Sequence, residues 1–366
     1  MLPLKEKSSK KYGNRGTANS MSTQLENDFH FDGDLYQQKL PQHYRSVLSN
    51  FQKCSRSFIR FNLLFSLLLV VEISLFCIFL PVLTGSSLLA IVLGGLFLTL
   101  FSYLVLLFYY QAKKPDQLNA ILQRFIASCR VSLGLPSGAV IHHLSLSETL
   151  LKLSQYLNDY EYRLIQFPDF FPALSNFISS FSARLYRRDV FQFKQLLLFT
   201  AIEEHLQQIR STPTDLEVHA SLAASYVALS KIYKEPKESD RTSLYRKHSA
   251  TFDEKFKVAA SLAIEEFQIL SHYAPNDPWV HEQLATGYRE LNLYEEEIRE
   301  VEMLLKLRPQ DREILFRLGT LYFQQGQNAK GLQIYEELKK TNFKKAEDLI
   351  SAYGRTAESE LHLTPL

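Results

Sequence analysis

"AIEEFQILSHYAP", Ala263 to Pro275, echoes "AIEEHLQQIRSTP", Ala201 to Pro213, at an offset of 62 along the chain. The tetrapeptide recurs, and so does a proline twelve residues after its alanine. Either this is one long duplication or a shorter repeat has been interrupted. The prolines decide. The offset from Pro275 to Pro309 is 34. Each of these prolines is followed, at offsets of 9, 10 and 13, by a matching triplet: Leu284, Ala285, Tyr288 and then Leu318, Gly319, Tyr322. Pro213 is followed at the same offsets by Leu222, Ala223 and Tyr226. The segments before the prolines carry Ala263, Phe267 and Leu270, then Glu297, Val301 and Leu304, then Gly331, Tyr335 and Leu338. Apolar residues three and four apart form one face of a helix. Small residues at 285 and 319 let paired helices approach, and the proline ends the second helix of each pair.

This spacing resembles the tetratricopeptide repeat, whose unit is about 34 residues. The residues that carry it are "HEQLATGYRELNLYEEEIREVEMLLKLRP" (281–309) and "LFRLGTLYFQQGQNAKGLQIYEEL" (315–338). The resemblance covers 275–342 closely and 213–274 less closely. It implies an all-α solenoid whose concave groove, built from first-helix residues, takes an extended peptide or a helix of a protein partner. Carried onto this chain, the groove positions are Trp279, Glu282, Thr286 and Arg289, then Glu313, Phe316, Arg317, Thr320 and Phe323. Trp and Arg are common interface hot spots. Ala220, Ala224, Glu282 and Thr286 replace the Lys/Asn pattern of repeats that clamp a C-terminal carboxylate. Other departures are His219 and His281 at the usual Trp position, Glu297 where a small residue is expected, and Phe343 in place of a closing proline. Phe343 points to a capping helix over "KKAEDLISAYGRTAESEL".

The echo then has an account. Its offset of 62 exceeds the period of 34, so one unit carries an insertion. The excess lies between a first helix near 215–233 and the second helix that ends near Tyr273. The charged "KEPKESDR" reads as a loop. After it, apolar spacing at 252, 256, 259, 263, 267 and 270 reads as a second helix extended at its start. The paired "EE" of both copies reads as a solvated face.

A long apolar block runs from Phe58 to Tyr110, and between Arg60 and Lys113 its only charge is Glu72. A bilayer core takes about 20 apolar residues as helix. Phe61 to Leu83 and Leu88 to Tyr110 supply two such lengths around the turn Thr84–Ser87, a helical hairpin that keeps backbone hydrogen bonds internal. Arg45, Lys53, Arg56 and Arg60 precede it, Lys113, Lys114, Arg124 and Arg130 follow it, and the turn has no cation. Both ends are therefore expected on the cytoplasmic side. Glu72 near mid-span reads as a neutral acid hydrogen-bonded to Ser74, Thr99 or Ser102, or as a proton or ion site. Ala90 and Gly94 form a small-xxx-small pair that suits close approach within the hairpin or between copies, hence a homo-oligomer.

Composition excludes several classes. The 13 glycines and 13 prolines among 366 residues favour long helices, and a net charge of +2 without a basic stripe excludes nucleic acid as an expected partner. Cys54, Cys77 and Cys129 offer neither a disulfide framework nor a metal motif. All three read as reduced thiols, with Cys54, beside the apolar block, a plain buried or surface thiol and lipidation its alternative. "DFHFDGD" (28–34) lacks the glutamate a calcium loop needs, and "GLPSG" lacks the Lys-Ser/Thr of a phosphate loop. His142 and His143 read as a solvated helix start, and His219, His272 and His281 as packing residues. No catalytic, cofactor or metal residues emerge.

The expected organisation is a polar, disordered arm (1–57), a two-helix transmembrane hairpin (58–112), a helical connector with divergent pairs (113–211), repeats with an insertion near 232–255 (212–342), and a capping helix with tail (343–366). In the connector, helices are expected from Ser145, over 172–188 and over 190–210. The expected function is a membrane-anchored scaffold or assembly factor, not an enzyme. Two alternatives stand beside it. One is a secreted effector in a host membrane, since the layout resembles that of chlamydial inclusion-membrane proteins. The other is an accessory subunit of a membrane enzyme or transporter, in which Glu72 would matter.

Overall fold

The computed structural model describes residues 33–83, 88–134, 140–164, 172–239, 243–341 and 343–361, and every regular element among them is helical. In order these are α1 (Gly33–Leu83), α2 (Leu88–Leu133), α3 (Val140–Tyr156), a 3₁₀ turn (Tyr160–Arg163) and α4 (Pro172–Ser211). There follow α5 (Leu216–Ser239), α6 (Ser243–Tyr273), α7 (Pro278–Glu290), α8 (Tyr294–Leu307), α9 (Arg312–Gln324), α10 (Asn328–Thr341) and α11 (Phe343–Leu361). The architecture is an all-α solenoid fronted by two long helices. The polar residues 1–32, the turn 84–87 and the tail 362–366 lie outside the described residues.

The polar arm expected to reach residue 57 is already helical at Gly33. Tyr36, Leu40, Val47, Leu48 and Phe51 recur at helical spacing and bury into a core with Leu122 and Phe125 of α2, Leu150 of α3 and Phe193 of α4. Phe51 stacks on Phe193 at 5.1 Å between centroids. The Tyr36 hydroxyl meets Thr149 Oγ1 at 2.8 Å, and burial raises its pKa well above the ordinary phenol range. Burial likewise pushes the Cys129 thiol up to about 12, so it behaves as a small hydrophobe. On α2 the face formed by Leu118, Ile121, Leu122, Phe125, Ile126 and Cys129 is buried throughout.

Farther along the same two helices the pattern inverts. Leu63, Leu67, Ile78, Ile91, Phe97 and Phe108 are all exposed. Only one seam is covered, where α1 and α2 face each other. There Phe61 and Phe65 lie against Tyr103, with Phe61 also on Tyr110. The Tyr103 hydroxyl donates to Asn62 Oδ1 at 3.3 Å. Thr99 Oγ1 donates to Glu72 Oε1 at 3.1 Å, whereas Ser74 donates to its own helix at Val70 O. A Cβ added at Gly94 would meet nothing within 4 Å, so the Ala90–Gly94 pair does not bring α1 and α2 together.

Three further expectations change. Helix α3 starts at Val140, so Ser145 lies inside it, and Glu148 pairs with Lys152 at 2.8 Å. The segments 172–188 and 190–210 form one helix, because "RRDV" at the join carries no glycine or proline to stop it. The stretch "KEPKESDR" is helical as far as Ser239. The interruption of the repeat is therefore a lengthening of both helices. Helix α5 has 24 residues against 13 in α7, and α6 has 31 against 14 in α8. Together these two excesses account for the whole insertion. The extension docks on α4: Phe191 lies edge-on to both Tyr233 of α5 and Phe252 of α6, at 6.1 and 5.5 Å.

Each first helix starts the same way. In Thr212-Pro-Thr-Asp, Ala274-Pro-Asn-Asp and Arg308-Pro-Gln-Asp the aspartate N–H donates to the carbonyl three residues back. The aspartate carboxylate then caps the helix, accepting from the N–H of Glu217, Trp279 or Glu313 at 3.1, 2.9 and 2.9 Å. Proline presets the turn and lacks a donor that the turn would waste. In the last unit α10 packs so closely on α9 that a Cβ on Gly331 would fall 2.6 Å from the Phe323 ring. Tyr353 of α11 presses on the same ring at 4.5 Å, so the ring cannot retreat. Gly331→Ala is expected to destabilise the chain by about 1–3 kcal/mol, read as a lower denaturant midpoint with unchanged helix content.

Candidate partner-binding groove

Helix α7 carries four of the residues expected in the groove on one side. Trp279 is 44% exposed, with its indole edge-on to Phe267 of α6 at 5.7 Å, so it both packs at the repeat edge and presents a face to solvent. Glu282 and Thr286 are exposed, and the Thr286 hydroxyl donates to the Glu282 carbonyl. Arg289, half-exposed, reaches across to α8.

Its target is Glu297, which is fully buried. Glu297 Oε1 accepts from Arg289 Nε at 2.8 Å and from the Arg317 guanidinium of α9 at 2.8 Å. The glutamate where a small residue was expected is thus the centre of an Arg–Glu–Arg bridge tying consecutive first helices together. Removing one partner of such a buried set costs more than the set itself contributes, since a charge is left dry and alone. Arg289 and Arg317 are held by this bridge, and only Arg289 keeps substantial exposure.

The α9 positions fare differently. Phe323, expected in the groove, is buried in the core, sealed by Tyr353 and Gly331. The physical reason is the capping helix: α11 covers the apolar face that the last repeat would otherwise leave wet. Phe316 is half-buried against the same core, and Thr320 donates to the Phe316 carbonyl. Glu313 is exposed and paired with Lys345 of α11. The open part of the surface is therefore the α7 stripe.

Histidines read from the sequence as packing residues or as a solvated helix start make specific polar contacts. His219 Nδ1 meets Glu266 Oε2 at 2.6 Å, and its Nε2 meets the Pro213 carbonyl at 2.9 Å. One unit later His281 repeats both contacts, with Glu300 at 2.6 Å and the Pro275 carbonyl at 2.8 Å. One unit earlier His143 of α3 meets Glu204 Oε2 of α4, again at 2.6 Å. Glu204, Glu266 and Glu300 stand at successive offsets of 62 and 34, the spacing of the echo and then of the repeat. The second glutamate of each "EE" is therefore not on a solvated face: it struts the second helix to the first. Glu204 is 5% exposed and also holds Arg130 of α2 at 3.0 Å. The Pro-x-Asp turn with a histidine four residues after its aspartate was the available signal. In the last unit the strut positions carry Leu315 and Ile334, both buried in the core there.

His142 is buried rather than solvated, and neither of its ring nitrogens finds a partner; the same holds for Nε2 of His205. Among the described residues no set of three ligands is arranged to hold a metal. Burial pushes His205 down to about 4 and lowers His142, on which His143 and Arg130 push the same way against Glu204. His219 shifts upward: burial opposes its charge, but Glu266 and the Pro213 carbonyl outweigh it.

These surroundings fix the sign of two pH effects. Below the ordinary histidine value of 6.5 the unfolded chain binds protons that buried His142 and His205 refuse. Their contribution is whole above that pH and lost as pH falls below it, for His205 down to about 4. His219 works oppositely, stabilising below its raised value and losing that contribution as pH rises through it. His205→Leu is expected to flatten the acid limb of a stability–pH curve measured by urea unfolding, with a neutral-pH change below about 1.5 kcal/mol. At a strut, His281→Leu or Glu300→Ile alone should each cost about 1–3 kcal/mol. The double variant, which copies the last unit, should cost less than their sum in a double-mutant cycle.

Comparison with known proteins gives no matching family model and no matching curated protein. Several solved structures are similar in part. MamA AMB-1 is 16% identical with a TM-score of 0.28, the match covering 62% of this chain and 99% of that one. A thermophilic TPR protein of Thermus thermophilus, TTC0263, is 17% identical with a TM-score of 0.28 and coverages of 56% and 98%. A monomeric IFIT1 mutant with Gppp-AAAA is 16% identical with a TM-score of 0.32 and coverages of 69% and 64%. None of these supports the layout resemblance to chlamydial inclusion-membrane proteins. At these scores function has to be argued from this chain's own surfaces.

Proposed function

We propose that this chain is a bilayer-anchored scaffold: α1 and α2 cross the membrane as a hairpin, and the α7 stripe receives a peptide or helix of a protein partner. The observation that carries it is the inversion along α1 and α2. One half of each helix buries its apolar residues in the solenoid's core, while the other presents long apolar faces of which no part of the most hydrophobic window is buried. A core helix of a soluble protein would cover that window, and water would penalise it heavily. A bilayer satisfies it at no cost.

The flanking cations favour the cytoplasmic side for the solenoid. Partner recognition rests on Trp279, Glu282 and Thr286, an aromatic anchor with polar neighbours, on a helix immobilised by its cap and by the Glu297 bridge. Rigid display of a few such residues keeps the entropic cost of binding low. The accessory-subunit reading keeps one observation in its favour, the second oxygen of Glu72, which is buried without a hydrogen-bond partner between the two helices.

The full-length chain is the right bait, because Tyr36 to Phe51 belong to the solenoid's core and a fragment starting after the hairpin would lack them. In membranes, the chain is expected to resist alkaline carbonate extraction. From mild detergent, Trp279→Ala and Glu282→Lys are each expected to reduce recovery of the same partner by about tenfold or more. Release by carbonate would overturn the anchor, and an unchanged set of captured proteins with both variants would overturn the groove.

A further inference from the structure

A cleft of about 250 Å³ opens between α1 and α2 where the apolar hairpin meets the solenoid. Its walls combine two cations with neutral donors. Lys114 and Arg124 come from α2, Asn50 and Ser57 from α1, and no aspartate or glutamate lines it. Phe58 and Ile121 supply an apolar side. Lys114 is fixed in place: its Nζ donates to the buried Asp189 carboxylate at 2.5 Å and lies 4.4 Å from the Phe58 ring centroid. Arg124 is exposed and has no ion pair among the described residues. A cation tethered to Asp189, a cation unpaired among the described residues, and hydroxyl and amide donors suit an anion rather than a cation or an apolar ligand, with Asp189 the one carboxylate that shares Lys114.

Depth identifies the anion. Tyr110, the last residue of the second apolar length, stands at the membrane-side mouth of the cleft. Lys114 lies one helical turn beyond it, about 6 Å, which is headgroup depth. Arg124 is ten residues farther along, and helical side chains lean toward the N-terminus, here back toward the membrane. The cleft is smaller than the roughly 300–1,000 Å³ of sites that enclose whole small molecules. It therefore admits a headgroup and leaves acyl chains in the bilayer. Lys53, Arg56, Arg60 and Lys113 add to the positive potential at this rim. We infer that the cleft binds the headgroup of an anionic phospholipid, with Lys114 at the diester phosphate and Arg124 at a second phosphoryl group farther out. The inference rests on the anchor reading above, since the lipid reaches the cleft only if the hairpin lies in a bilayer.

The test uses the full-length chain in phosphatidylcholine nanodiscs. They are titrated with a fluorescent phosphatidylinositol monophosphate and, in parallel, with a fluorescent phosphatidylcholine. The phosphorylated lipid is expected to bind at least about fivefold more tightly, the contribution of one surface cation. Arg124→Gln should abolish that preference and Arg124→Lys should keep most of it, both with unchanged helix content. Equal binding of the two lipids, or a preference that survives Arg124→Gln, overturns the proposal. Soluble inositol monophosphate and inorganic phosphate form the third arm. If either competes as strongly as the lipid and with the same Arg124 dependence, the source of the phosphoryl group is soluble and the lipid assignment is overturned. Failure of the anchor reading shows elsewhere, as release of the chain by carbonate. A chain that stays in the membrane without lipid preference sinks only the cleft.

Discussion

A 2.6 Å contact between a histidine of one helix and a glutamate of the next recurs three times along this solenoid, at His143–Glu204, His219–Glu266 and His281–Glu300. Each fixes the register of a helix pair, and the last two also grip the carbonyl of the proline turn that starts the unit. The pair packs polar groups where the tetratricopeptide pattern places an indole. It makes the framework independent of a large aromatic at that position, and it leaves the chain's single tryptophan free for the surface. Where the strut is absent, in the last unit, Leu315 and Ile334 fill the space and the capping helix closes the core.

Around this frame two polar devices join neighbouring units. Glu297 bridges α7 to α9 through Arg289 and Arg317. Glu204 bridges α4 to both α3 and α2, so the first strut also holds one of the two long helices. The orientation of the hairpin is thus set by the solenoid, through helices that do not break between the two.

Much of this was legible in residue spacing. The repeat period placed the helix pairs, because apolar side chains three and four apart have one way to face a common core. The two apolar lengths were equally plain. Three things were not. The polar run before the hairpin hid a helix, since Tyr36, Leu40, Val47 and Phe51 are a thin stripe among charges and bury only because α2, α3 and α4 meet there. The "EE" pair looked solvated, because a glutamate's partner 61 or 47 residues away leaves no local trace. Phe323 looked like a groove residue, because only the arrival of α11 decides which side of the last repeat is wet.

The sequence by itself determined the helical class, the repeat period and the length and position of the apolar hairpin. These follow from local periodicity and from two long runs of apolar residues, and neither depends on what packs against what. Tertiary structure alone decided that the inserted residues lengthen two helices toward Phe191, that three glutamates strut three histidines, and that a cationic cleft opens beside Tyr110. Those outcomes depend on contacts between residues far apart in the chain. Charge and burial at such positions are properties of the assembled interface, and no window of sequence contains both of its sides.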